Sequence, residues 1–149
     1  SHLDAITALF PSAVKYSALK AGATPADVLI IDNIGMLTAL YRYATIAYVG
    51  GGFGKDGIHN LLEPAVYSKP VLIGPEFRKY FEAVELVNLK GALVVADAAQ
   101  LQELVNVLLD DPAYYHKTAA IAGNYVAANT GATWKILHYI QEKRFLSNE

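Results

Sequence analysis

Short apolar runs, separated by polar and glycine-rich segments, set the pattern of the chain. Four runs are nearly continuous rather than alternating, at residues 28–31, 46–49, 71–73 and 92–95, and a weaker fifth lies at residues 13–16. Continuous apolar runs of this length are typical of parallel strands that are covered on both faces. The pattern therefore predicts five strands.

Segments with helical spacing lie between and after these runs. Helices are predicted at residues 37–43, 61–67, 80–89 and 98–109. Asp111 and Pro112 offer a cap and a first-turn proline for a further helix, and Gly131 precedes the last one. The alternation of strands and helices predicts an α/β fold, a Rossmann-like parallel sheet with helices on both faces.

Composition narrows the class of protein. The length of 149 residues suits one domain. With 54% hydrophobic and 17% charged residues, the chain is too apolar for a disordered protein. No uncharged apolar stretch approaches the ~18 residues that span a bilayer. The net charge of -2 is not that of a nucleic-acid-binding domain, and the lack of cysteine excludes disulfides and thiolate metal sites.

The loop after the second continuous run is the richest in glycine. It covers residues 50–64 and reads GGGFGKDGIHNLLEP. Ligands of open α/β sheets bind beyond the carboxyl ends of the strands, and glycines let a ligand approach the backbone closely. A helix that begins at about Asn60 would direct free N–H groups at an anion. The loop is therefore a candidate site for phosphate or carboxylate.

Three classes of site compete for this loop. A P-loop is excluded because Val49 and Asp56 stand where its motif requires glycine and serine or threonine. Gly52, Gly54 and Gly57 match the dinucleotide pattern G-x-G-x-x-G, but that pattern belongs to the first strand–helix unit and at least one strand precedes this loop. The third class is a nucleotide-sugar site.

The polar residues of the loop have structural alternatives. Asn60 and Glu63 have capping-box spacing, so they are either a helix cap, a ligand contact or both. His59 and Glu63 have the i, i+4 spacing of a metal pair, but no third ligand is evident, and no metal is predicted. Arg78 and Lys79 are either a solvated basic turn or a contact for an anionic sugar.

Several segments in a fixed order carry a resemblance to a known family. They read DNIGML from residue 32, LYRYATIAYVGG from residue 40, GIHNLLEPA from residue 57, KPVLIGP from residue 69 and VADA from residue 95. Together they resemble the bacterial 3-deoxy-D-manno-octulosonic acid (Kdo) transferases of lipopolysaccharide synthesis. The resemblance covers most of the chain, and its segment around His59 and Asn60 is more specific than a glycine loop alone.

The resemblance implies the C-terminal half of a GT-B glycosyltransferase. Residues 1–149 would form the domain that binds the donor CMP-Kdo, and an N-terminal domain outside this chain would supply the catalytic base and the lipid A precursor. No cofactor or catalytic metal is implied, nor any catalytic residue in this chain, which alone is expected to be inactive. The full-length protein would work at the cytoplasmic face of the inner membrane, while this part itself would be soluble.

The resemblance also implies which residues bind the donor, with Glu63 at the ribose. The full set comprises Ile34, Gly35, Met36, Gly51, Gly52, Gly57, His59, Asn60, Leu61, Leu62 and Glu63. Two positions depart from the family pattern, because Ile58 replaces a glycine and Met36 replaces a glutamate. Two other functions stay open: a GT-B enzyme that uses a UDP-sugar, and a noncatalytic nucleotide-binding module.

Overall fold

The protein divides into two compact units, residues 1–42 and residues 43–149. A computed structural model describes residues 2–19 and 26–143. The first unit contains helix α1 (His2–Leu9), strands β1 (Val14–Lys15) and β2 (Leu29–Ile30), and the short helix α2 (Leu37–Leu40). Strands β1 and β2 pair in parallel, with Val14 opposite Leu29.

The second unit is built on a parallel three-stranded sheet. Strands β3 (Ala47–Val49), β4 (Val71–Ile73) and β5 (Ala92–Val94) lie side by side in that order. Its helices are α3 (Leu62–Ala65), α4 (Phe81–Leu89), α5 (Ala98–Asp110), α6 (Pro112–Ala128) and α7 (Ala132–Glu142). The predicted α/β class and the five strand positions are confirmed, although each strand has only two or three residues.

The core of the second unit lies on both faces of its sheet. All three residues of β4 are fully buried, and their side chains alternate between the faces. Val71 and Ile73 belong to a cluster with Leu86 of α4 and Ala122 of α6, whereas Leu72 packs with residues that include Leu108 of α5. This two-sided burial is why the strands are continuously apolar in the sequence.

Side-chain caps begin the two longest helices. The Asp111 carboxylate, the predicted cap, accepts a hydrogen bond from the Tyr114 N–H at 3.0 Å and caps α6. The Asp97 carboxylate accepts one from the Gln100 N–H at 2.8 Å and caps α5. Pro112 occupies the first turn of α6. None of the described helices is long and apolar enough to cross a membrane.

Two predicted helices are shorter than the sequence pattern indicates. The helix predicted at residues 37–43 is α2 followed by a 3-10 turn at Tyr41–Tyr43. The helix predicted at residues 61–67 is the single turn of α3. It stops because the amides of Tyr67 and Ser68 bond to the third rather than the fourth residue before them, and because Ser68 adopts a left-handed φ of 52°.

Candidate functional site

The glycine loop after β3 is a compact turn that only glycine permits at two positions. The Gly54 and Gly57 N–H groups donate to the carbonyls of Gly51 and Gly54, at 2.9 and 3.2 Å. Gly51 has a φ of 90° and Gly57 a φ of 82°, both in the left-handed region. A Cβ on Gly51 would lie 2.3 Å from the Gly57 carbonyl oxygen. These two predicted site residues therefore have a structural reason to be glycine.

The glycine loop packs tightly on the loop that follows β4. The Glu76 N–H donates to the Gly52 carbonyl at 2.9 Å, and the Ile58 N–H donates to the Glu76 carbonyl at 3.2 Å. A Cβ on Gly52 would stand 2.7 Å from the backbone N and Cα of Gly74. Gly52 is therefore buried against the backbone of Gly74 and the side chain of Ile58, and glycine at this position permits the close approach.

A shallow cleft of about 310 Å³ opens on the glycine loop. It is lined by Gly51, Phe53, Gly54, Asp56, Gly57 and His59. Three of these, Gly51, Gly57 and His59, are predicted site residues, and the side chain of His59 is exposed. The sheet thus presents a cleft beyond the carboxyl end of β3, where α/β proteins bind their ligands.

The sequence prediction did not include Phe53 and Asp56, which also line the cleft. Phe53 is 57% exposed, although an aromatic side chain gains most from burial. Its position within a run of glycines, outside any strand or helix pattern, was the available signal. Asp56 gave no such signal, because a single aspartate in a loop is common.

Several of the backbone donors of the glycine loop are already used in hydrogen bonds to protein carbonyls. The N–H groups of Gly54, Gly57, Ile58 and His59 all donate to protein carbonyls. Helix α3 begins at Leu62 rather than at Asn60 and has only four residues. The helix starts two residues after the predicted position of about Asn60, and its one turn aligns few peptide dipoles for an anion.

Asn60 and Glu63 form a variant of the predicted capping box. The Asn60 side-chain oxygen accepts from the Leu62 N–H at 3.1 Å, as a cap does. The reciprocal bond differs, because the Glu63 carboxylate accepts from the Asn60 side-chain amide at 3.2 Å. Glu63 is half-buried and Asn60 exposed. The pair is a cap whose carboxylate stands partly open to solvent.

The apolar residues of the motif lie in the core. Leu61 is 1% exposed, and Leu62 packs against the same buried cluster. Ile58, the departure from the family pattern, is 4% exposed and belongs to that cluster too. Through their side chains these residues support the loop, so Ile58 replaces a glycine without entering the cleft.

The remaining predicted site residues belong to the first unit. Ile34 is fully exposed and Gly35 has a φ of 97°, so the segment forms an open turn. The Asn33 amide approaches the Met36 sulfur at 2.9 Å. Just before this turn, the Asp32 carboxylate accepts hydrogen bonds from the Ser17 hydroxyl and N–H, which lower the pKa of Asp32 below its usual value.

The described residues contain no group of three histidine, aspartate or glutamate side chains placed to hold a metal ion. His59 and Glu63 have the spacing of two metal ligands in the sequence, but no third histidine, aspartate or glutamate among the described residues completes a metal-binding group with them. Structural and catalytic metal sites generally take three or more protein ligands.

Parallel sheets, helices on both faces and a glycine loop at the carboxyl end of a strand define a Rossmann-like fold, with a cleft where such folds bind ligands. No family model matches the chain. The fold matches the crystal structure of the C-terminal CMP-Kdo binding domain of WaaA from Acinetobacter baumannii. The TM-score is 0.71 at 23% identity, over 84% of this chain and 66% of that one.

Sequence comparison leads to the same family. The 3-deoxy-D-manno-octulosonic acid transferase of Chlamydia muridarum is 36% identical over 116 residues, 74% of this chain and 27% of the relative. That of Bordetella pertussis is 31% identical over 117 residues, 78% of this chain and 27% of the relative. The chain is similar in sequence and fold to the C-terminal domain of the Kdo transferases, as predicted. It spans about a quarter of the length of these relatives.

Proposed function

We propose that this chain is the donor-binding half of a Kdo transferase. In the longer protein it binds CMP-Kdo, and Kdo passes to a lipid A precursor in lipopolysaccharide synthesis. The observation that carries the proposal is the match of sequence and fold to Kdo transferases along most of the chain. The cleft on the glycine loop supports it, because the specific motif of the resemblance borders that cleft.

The proposed donor contacts fall into two kinds. Exposed groups meet the ligand directly: the turn at Ile34, Gly35 and Met36, the cleft residue His59, and the carboxylate of Glu63 at the ribose. The others, Gly51, Gly52, Gly57, Asn60, Leu61 and Leu62, shape the loop and hold Glu63. In this assignment Met36 cannot accept a hydrogen bond as a glutamate does, so the exposed backbone of the turn makes the contact.

The chemistry of the transfer requires groups beyond this chain. A base on an N-terminal domain deprotonates a hydroxyl of the acceptor, which attacks the anomeric carbon as CMP leaves, with inversion at that carbon. The part of the site in this chain binds the nucleotide and orients the sugar for that attack. We place the full-length GT-B enzyme at the cytoplasmic face of the bacterial inner membrane, where its lipid acceptor lies.

Nucleotide preference tests the proposal. We expect the full-length protein to bind CMP more tightly than UMP or NAD in titration calorimetry, and to transfer Kdo from CMP-Kdo to a lipid A precursor. A preference for NAD would support the dinucleotide site, and a preference for UMP would support a UDP-sugar transferase. Binding of CMP without any transfer would support a noncatalytic nucleotide-binding module.

A further inference from the structure

The side chain of Lys79 lies across the glycine loop. Lys79 is part of a turn after β4, closed by a 3.0 Å hydrogen bond from the Tyr80 N–H to the Phe77 carbonyl. Its Cε atom stands 2.7 Å from the point that a Cβ on Gly57 would occupy. The aliphatic part of Lys79 therefore packs directly on a glycine that lines the cleft, and Gly57 leaves the room that this packing needs.

The Lys79 ammonium is held beside the cleft by a weak hydrogen bond. Its Nζ donates to the Lys55 carbonyl at 3.4 Å and lies 5.4 Å from the centre of the Tyr80 ring. An ammonium forms bonds of about 2.7–2.9 Å with a carboxylate, which is a stronger acceptor than a distant carbonyl. An anion in the cleft can therefore replace the Lys55 carbonyl as the acceptor of the Lys79 ammonium, and this exchange requires only a movement of the Lys79 side chain.

Neighbouring groups have other roles in this turn. The Tyr80 hydroxyl donates to the Asp56 carbonyl at 2.8 Å, so Tyr80 fastens the glycine loop. The Arg78 guanidinium lies 5.6 Å from the centre of the ring of Phe77, a buried residue. Of the two cations at the end of this turn, Lys79 is the one whose side chain contacts the cleft wall.

The backbone of the glycine loop offers an anion fewer donors than its sequence suggests, so a cation beside the loop would contribute to anion binding. Four of its N–H groups, at residues 54, 57, 58 and 59, already donate to protein carbonyls, and α3 has a single turn. These four donors are therefore not available to an anion at the cleft, and a side-chain cation can supply a contact that they do not. Asp56, which also lines the cleft, repels anions, so a nearby positive charge is needed to make the site favourable for one.

We propose that Lys79 binds the carboxylate of the sugar acid in the donor, a specificity role that rests on the proposed function. A sugar acid carries a carboxylate that neutral sugars and free CMP lack. A cation placed at the sugar end of the site therefore favours the complete donor over CMP alone, and an acidic sugar over a neutral one. Lys79 thereby determines which sugar is accepted, while the nucleotide contacts lie elsewhere.

The test compares CMP with CMP-Kdo in titration calorimetry of the full-length protein without acceptor. Lys79→Met keeps the aliphatic packing on Gly57 and removes the charge. We expect its affinity for CMP-Kdo to fall about tenfold, equivalent to about 1.4 kcal/mol, with the affinity for CMP within about twofold of wild type. Lys79→Arg restores most of the CMP-Kdo affinity, and the control Arg78→Met leaves both affinities within about twofold.

The affinity for CMP serves as the internal control, because a folding defect in Lys79→Met would lower the affinities for both CMP and CMP-Kdo. Equal weakening of CMP and CMP-Kdo, no weakening of either, or an equal effect of Arg78→Met overturns the role of Lys79. So does failure of Lys79→Arg to restore affinity. Failure of the proposed function is a different result: the wild-type protein then binds neither CMP nor CMP-Kdo, whatever the residue at position 79.

Discussion

At the scale of single residues, the Asn60 side chain performs two tasks at once. Its oxygen accepts from the Leu62 N–H and its amide donates to the Glu63 carboxylate, at 3.1 and 3.2 Å. Capping and ligand binding are therefore divided between the two residues. Asn60 satisfies the helix end, and Glu63 is oriented by Asn60 with acceptor capacity for another group, since a carboxylate has about four lone-pair sites.

The role of Glu63 can be separated from that of a cap by two substitutions. Glu63→Gln keeps an oxygen that accepts from Asn60, so we expect an unchanged melting temperature. CMP affinity should fall several-fold to about tenfold, because a hydrogen bond to a charged group contributes roughly 1.5–3 kcal/mol against about 1 for a neutral pair. Glu63→Ala removes the bond to Asn60 as well and should cost about 0.5–2 kcal/mol of stability.

Both quantities are measured in the full-length protein, as thermal melting and CMP calorimetry. An unchanged CMP affinity in Glu63→Gln, together with unchanged melting, would leave Glu63 as a part of the cap only. The proposed ribose contact, which is the most specific residue assignment made from the resemblance, would then have to be withdrawn.

At the scale of elements, the glycine loop and the loop after β4 act as one unit. Their backbones approach so closely that neither Gly52 nor Gly74 has room for a Cβ atom. The hydrogen bonds between Glu76 and Gly52 and between Ile58 and Glu76 connect the two loops. The shape of the cleft therefore depends on this contact, although the described residues that line the cleft all belong to the first loop.

Two alanine substitutions in the same loop should differ in their effect. Gly52→Ala places a methyl group 2.7 Å from the backbone of Gly74, and such crowding costs about 1–3 kcal/mol of unfolding free energy. Gly54→Ala meets its nearest atom at 3.5 Å, an ordinary contact, and should change stability by less than about 0.5 kcal/mol. Denaturant unfolding measures both, and equal losses would contradict the close contact of the two loops.

The elements also show what the sequence could predict. Apolar runs identified all five strands, and the clearest physical reason is at β4, whose three residues are fully buried on the two faces of the sheet. Asp111 marked the start of α6, because a side-chain cap is a local interaction. The length of α3 was not predictable, since its end depends on the left-handed turn at Ser68.

At the scale of the whole molecule, the sequence predicted the family but not the interior of the site. The resemblance rests on segments in a fixed order, and the comparisons confirm it. The contact between Lys79 and Lys55 joins residues 24 positions apart, and the place of Phe53 in the cleft depends on how the loop folds. Such relations follow from tertiary packing, which spacing along a single sequence does not encode.

The last prediction concerns the activity of the chain by itself. Orienting the acceptor hydroxyl towards the anomeric carbon and removing its proton both contribute large factors to the rate of a group transfer, and the proposed base and acceptor site lie on another domain. We therefore expect the purified 149-residue chain to transfer no Kdo from CMP-Kdo to a lipid A precursor above the uncatalysed background. The full-length protein in the same assay is the positive control, and addition of its separately produced N-terminal domain should restore measurable transfer. Turnover by the 149-residue chain alone would contradict the division of labour, because it would place a base and an acceptor site within these residues.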